Sequence, residues 1–196
     1  MTWMLLAKHF AFTNTLEASF NYDNLNVLTA QIAKILHENI NTIKRLTEIF
    51  NQNGILFGVV KKIDGAAIDG YSFEYNGHPC IIVTMRYDKI DNLAFAVMHE
   101  LGHIINHDNE DCRINLEDYD HESPEEKAAN TFAADALIPN NKWKQMPKVQ
   151  MYPNQIQRIY TTWAIENGYN KWIALGRIAH ETGMFKFKSD PSRKVL

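Results

Sequence analysis

The segment around residue 100 constrains this chain most. Leu93, Ala94, Val97, Met98, Leu101, Ile104 and Ile105 recur at helical spacing around His99, Glu100 and His103. Apolar residues on most sides predict a buried helix over residues 90–107. His99 and His103 are one turn apart and project from one face of it. A buried imidazole pair needs partners. A single zinc ion, about 2.0–2.1 Å from each ring, fits that spacing. Glu100 points in a neighbouring direction, where it accepts a proton from a metal-activated water instead of ligating. The competing reading, a helix with two surface histidines, is weakened by the apolar flanks.

A catalytic zinc wants a third protein ligand and an open position. His107 lies four residues beyond His103. In a continuous helix, however, it stands about 12 Å from His99, too far for one ion. It reads as a histidine favoured by the helix C-terminus, or as a donor supporting a ligand from behind. The next helix supplies a better candidate. Ser123 and Pro124 mark its start, as N-cap and first helical residue. Glu126, Ala129, Asn130, Ala133 and Leu137 then share one face. Small alanines allow close approach to the first helix, Glu126 completes a His2Glu set, and Asn130 orients a ligand histidine. Ser123 and Glu126 also spell a capping box, in which Glu126 only satisfies the N-cap amide. Local sequence leaves these two readings level. Glu125, on another face, and Glu122, before the helix, are weaker rivals.

The rest of the chain is predicted to be α+β. Residues 24–37 and 41–51 carry helical apolar spacing. Residues 55–60, 71–75 and 80–84 read as strands, separated by Asp64-Gly65, Asp69-Gly70 and Asn76-Gly77 turns. Helices return over 90–107, 123–138, 154–167 and 170–182. Segregated strands and helices argue for a helical N-terminal segment, a small, mostly antiparallel sheet packed on the zinc-binding helix, and further helices. The predicted divisions are 1–52, 53–185 and a basic, frayed tail over 186–196.

With 196 residues, 45 % apolar and 22 % charged, the chain is long enough for a real core. Its net charge of -3 excludes a surface coated for nucleic acid. Residues 1–50 do not supply a convincing helix-turn-helix, so nucleic acid is not an expected partner. Cys80 and Cys112 make no disulfide framework and suit a reducing cytoplasm. No apolar run is long enough to span a membrane, and the N-terminus lacks the basic start of a signal peptide.

Taken together, several stretches resemble the ImmA/IrrE family of zinc metallopeptidases. They are His99-Glu100-Leu101-Gly102-His103 with His107, Glu126 with Ala129-Asn130 and Phe132-Ala133, and Leu137-Ile138-Pro139. Upstream, Gly54-Ile55, Asp69-Gly70-Tyr71-Ser72 and Gly77-His78-Pro79-Cys80 are similar to the small sheet of that family. Gly176-Arg177-Ile178 with His180 is similar to a stretch in relatives that accompany toxin–antitoxin-type regulators. The likeness covers about residues 50–185. It implies a cytosolic bacterial or phage peptidase of the thermolysin-like type, with His99, His103 and Glu126 on zinc and Glu100 as base. Characterised members cut a repressor or similar regulator at one place. A departure is Ala128, where many relatives carry a second Glu.

The expected function is therefore zinc-dependent cleavage of a specific intracellular protein, a basic DNA-binding regulator. His180 is a candidate donor to the oxyanion, against the plainer reading of a helix-end histidine. Tyr160 and Arg158 are unranked alternatives. A non-catalytic, antitoxin-like binding protein that keeps the zinc site is the other class of function, and a DNA-binding regulator that uses the fold for sensing is a third. Retention of Glu100 argues against a purely structural site. Residues 108–126 hold nine acids against Arg113, a charge of -8 that leaves +5 for the remainder. This block joins His103 to Glu126, and it either steers a basic substrate to the site or is a solvated loop without a role.

Overall fold

The computed structural model describes residues 2–61, 68–85, 87–106, 123–147 and 152–195. Three helices come first: α1 (Thr2–Thr13), α2 (Leu25–Glu38) and α3 (Thr42–Gln52). In α2, Leu25, Leu28, Ile32, Ile35 and Leu36 form one buried face, and the helix stops at Asn39 in the left-handed region. Strands β1 (Leu56–Val60), β2 (Gly70–Tyr75) and β3 (His78–Thr84) follow. They lead into α4 (Ile90–Ile105), α5 (Pro124–Leu137), a short α6 (Asn140–Trp143), α7 (Pro153–Glu166) and α8 (Lys171–Thr182).

The architecture is α+β, as the sequence predicts, with one correction: the sheet is mixed. Its order is β1-β3-β2, with β3 antiparallel to β2 and parallel to β1. The physical reason lies in β3, where Cys80, Ile81, Ile82 and Val83 are all fully buried. A strand apolar on both faces belongs at the centre of a sheet. The tight Asn76-Gly77 turn, with positive φ at both residues, makes β2 its hairpin partner. The other side of β3 is left for β1, in parallel register from Leu56↔Cys80 to Val60↔Thr84.

Alternation along the strands divides the apolar residues between two cores. Leu56, Tyr71, Phe73, Cys80 and Ile82 pack with Trp3, Ala7 and Ala11 of α1. Phe57, Ile81 and Val83 face the main core, built from α2, α3, α4, α5 and α8. Helices α2 and α3 thus share the core that encloses α4. α4 packs against α2, α5, α8, β2 and β3 together.

Residues 186–195, expected as a basic, frayed tail, make several contacts with the rest of the fold. Asp91, in the first turn of α4, is buried among apolar neighbours and needs a cation. Arg193 supplies it through two hydrogen bonds of 2.6 and 2.9 Å, with its guanidinium over Trp172. The Gln157 side-chain amide donates to the Lys188 carbonyl and accepts from the Lys188 N–H, and Asn39 donates to the Lys194 carbonyl. No helix among the described residues is long and apolar enough to cross a membrane.

His37 ties the C-terminal end of α2 to two other elements. The Asn170 backbone N–H donates to its Nδ1 at 3.0 Å, so its Nε2 carries the proton and donates to the Leu137 carbonyl at 2.7 Å. Burial lowers its pKa, against a smaller opposing pull from the Leu137 carbonyl. Protonation would destroy the acceptor at Nδ1. The folded pKa lies below the unfolded one, so this contribution is present above about pH 6.5 and is lost as pH falls through the folded value. The prediction is that wild type loses more stability than His37→Gln between about pH 7.5 and about pH 5, measured by denaturant unfolding. Equal losses would contradict it.

Candidate metal centre

The site forms where α4 and α5 touch. α4 offers His99 and His103 one turn apart, and α5 crosses it with its small face. Gly102 lies against Ala129: a Cβ there would meet Ala129 Cα at 3.2 Å and Phe132 Cδ1 at 3.0 Å. That close approach brings Glu126 over the histidines. Its carboxylate oxygens lie 3.1 Å from His99 Nε2 and 3.4 Å from His103 Nε2, and the two Nε2 atoms are 3.0 Å apart. The Ser123 hydroxyl accepts from the Glu126 backbone N–H. Glu126 therefore serves the N-cap with its backbone, while its carboxylate goes to the imidazoles.

These three side chains fit a metal on their donor chemistry. Asn130 Oδ1, an acceptor, stands 2.9 Å from His99 Nδ1. The proton of His99 thus sits on Nδ1, and a lone pair on Nε2 faces the cluster. Two imidazole nitrogens 3.0 Å apart beside a carboxylate make a donor set that could hold a cation. A tetrahedral ion with bonds of 2.0–2.1 Å spaces its ligand atoms about 3.3–3.4 Å apart, close to the separations here. His99, His103 and Glu126 form a group able to hold a metal ion.

Electrostatics follow from the same contacts. His103 and His99 hold the Glu126 carboxyl well below the usual carboxylate range. At His99 burial opposes the charged form, but the carboxylates of Glu126 and Glu100 outweigh it and raise the pKa. Burial pushes the Glu100 carboxyl up, against the pull of His99. Glu100 lies against β2, at Gly70, where a Cβ would come within 2.7 Å of Glu100 Oε1.

His99, Glu100, His103, Glu126, Asn130 and Gly70 line one cavity of about 990 Å³. His180, exposed in the last turn of α8, lines it too. Tyr160 and Arg158 are not among its lining: Tyr160 is buried against Trp143, and Arg158 is exposed elsewhere. His107 and residues 108–122 lie outside the described residues. Sequence reasoning missed Gly70 and Ser72, which β2 sets beside Glu100, and the wall formed by Phe185, Phe187 and Arg193. The signal for the last was Asp91, an acid in a buried helix with no sequence-local partner.

Two histidines and a carboxylate from the next helix, with a glutamate following the first histidine, are the ligand and base set of HExxH metallopeptidases. Residues 58–166 match the family model Peptidase_M78, the IrrE N-terminal-like domain, and the chain belongs to that family. The match covers more than half of the chain and includes His99, Glu100, His103 and Glu126. A comparison with curated proteins finds no match.

The contact at Gly102 yields a prediction. Gly102→Ala should push α5 outward by a few tenths of an ångström and weaken any metal binding by the cluster about tenfold, as loss of ligand support typically does. Competition against a chromophoric chelator measures it, and unchanged affinity in a folded variant would contradict it.

Proposed function

We propose that this protein is a zinc-dependent endopeptidase that cuts a specific protein of the cytoplasm, a basic DNA-binding regulator. The observation that carries the reading is the convergence of His99, His103 and Glu126 in one cavity with the buried Glu100. His99 and His103 through Nε2, and Glu126 through its carboxylate, would hold the ion. When bound, zinc acts as a Lewis acid that lowers the pKa of water and polarises a peptide carbonyl.

The chain's own residues do the remaining work. Glu100 accepts the proton of the attacking water and passes it to the leaving amine nitrogen. Burial raises its pKa, which makes it a stronger proton acceptor and a competent donor afterwards. Asn130 keeps the proton of His99 on Nδ1, so the lone pair of Nε2 stays available for the ion. His180, which lines the same cavity, would donate to the developing oxyanion. The acidic composition of residues 108–126 favours a basic protein over an acidic one through steering.

The test is co-expression with the products of neighbouring genes, comparing wild type with Glu100→Gln. Wild type should cleave one partner. Glu100→Gln should lose at least about a hundredfold in rate while retaining zinc. Gly70→Ala, which displaces the same carboxylate, should slow cleavage about tenfold. Cleavage that persists in Glu100→Gln removes Glu100 as the base. No cleavage of any partner by wild type favours a non-catalytic binding protein.

A further inference from the structure

The third ligand sits near the start of α5, but the strongest grip on that helix is at its other end. Arg177 of α8 is buried, at 6 % exposure. Its Nη1 donates to the carbonyls of Ala134 at 2.9 Å and Ile138 at 2.7 Å. Nη2 donates to Asn140 Oδ1 at 2.6 Å, and Nε donates to Glu181 Oε1 at 2.9 Å. The guanidinium also lies over the Trp143 ring, 4.4 Å from its centre, and the Trp143 indole donates to the other Glu181 oxygen. The Leu137 carbonyl is taken by His37 of α2. The carbonyls that close α5 are thus held by side chains from α8 and α2, with a fixed cation at the negative end of the helix dipole.

We propose that Arg177 is a positioning residue for the metal centre: through the last turn of α5 it sets the axial position and rotation of Glu126 and Asn130. Asn130 lies one turn before Ala134, and Glu126 lies two turns before it, about 12 Å along the axis. A helix transmits a slide or twist at one end to the other almost undiminished. Each residue of slip along the helix is about 1.5 Å, several times the tolerance of a coordination bond. The buried face of α5 is Ala129, Ala133 and Leu137; apolar contacts of this kind are non-directional, so a directional contact is what locks rotation. The Arg177 fork, with two carbonyls and an amide oxygen in fixed directions, supplies that lock. Arg177 lies beyond the matched segment 58–166, so the ligand helix is registered from outside it.

This inference rests on the metal-centre reading but not on catalysis, and its test reads metal alone in the full-length protein. Zinc affinity is measured by chelator competition, and coordination by the visible spectrum of the cobalt(II)-substituted protein. Arg177→Gln should raise the zinc dissociation constant about tenfold and weaken the tetrahedral cobalt bands. Arg177→Lys should recover part of both. Asn140→Ala, which removes one acceptor and leaves the charge in place, should give a smaller loss and covers the case in which Arg177→Gln fails to fold. Ile55→Val, a core change remote from α5, should lower the melting temperature without moving affinity or spectrum. Affinity and spectrum unchanged in folded Arg177→Gln, or in Asn140→Ala and Arg177→Lys if Arg177→Gln does not fold, overturn the proposal. So does an Ile55→Val effect equal to theirs, which would reduce the role to general stability. A wild type that binds neither metal overturns it together with the metal-centre reading, whereas absence of cleavage alone bears only on the latter's catalytic part.

Discussion

The close approach of α5 to α4 is the constraint on which the site depends. It exists because Gly102 and Ala129 leave no side chain between the two backbones. Only at that separation do the Glu126 oxygens come within 3.1 and 3.4 Å of the two Nε2 atoms. Larger residues at this contact would leave the buried His103 and the half-buried His99 facing each other without a counter-charge, a costly arrangement. The polar cluster and the apolar packing are therefore one arrangement, and its three donors could hold a metal ion.

Other parts of the molecule keep these helices in register. Arg177 and His37 close the C-terminal end of α5. Arg193 neutralises Asp91 in the first turn of α4. The sheet presents Gly70 and Ser72 to the cavity beside Glu100, while its other apolar set is covered by α1. The N-terminal helices and the last residues of the chain thus complete the surroundings of the matched family segment. Helices α2 and α3 share the core that holds α4.

Much of this was legible in the sequence. Strong apolar periodicity located α2, α3, α4 and α5 to within a residue or two, because burial of one face decides a helix. The His99–His103 spacing placed two imidazoles side by side, since a helix fixes their geometry locally. Glu126 was ambiguous for a physical reason: an N3 glutamate can satisfy its own N-cap or reach another helix, and only tertiary packing decides. The mixed sheet was missed because strand order depends on which strand is covered on both faces, a property of the whole fold. The fixed tail was missed because Arg193 and Asp91 are 102 residues apart. Nothing local signals such a pair except an acid that burial cannot tolerate alone. Arg177 carried a family likeness but no role until its carbonyl partners were in place.

The central claim is that His99, His103 and Glu126 converge on one ion with a coordination position left open. X-ray absorption at the zinc edge of the loaded protein tests it most directly. The account predicts two imidazoles at about 2.0–2.1 Å, one carboxylate oxygen and one ligand from solvent. It also predicts that Glu126→Gln alters the oxygen shell and leaves both imidazoles in place. A shell with four protein ligands, a sulfur neighbour, or a spectrum lacking two imidazoles would contradict it.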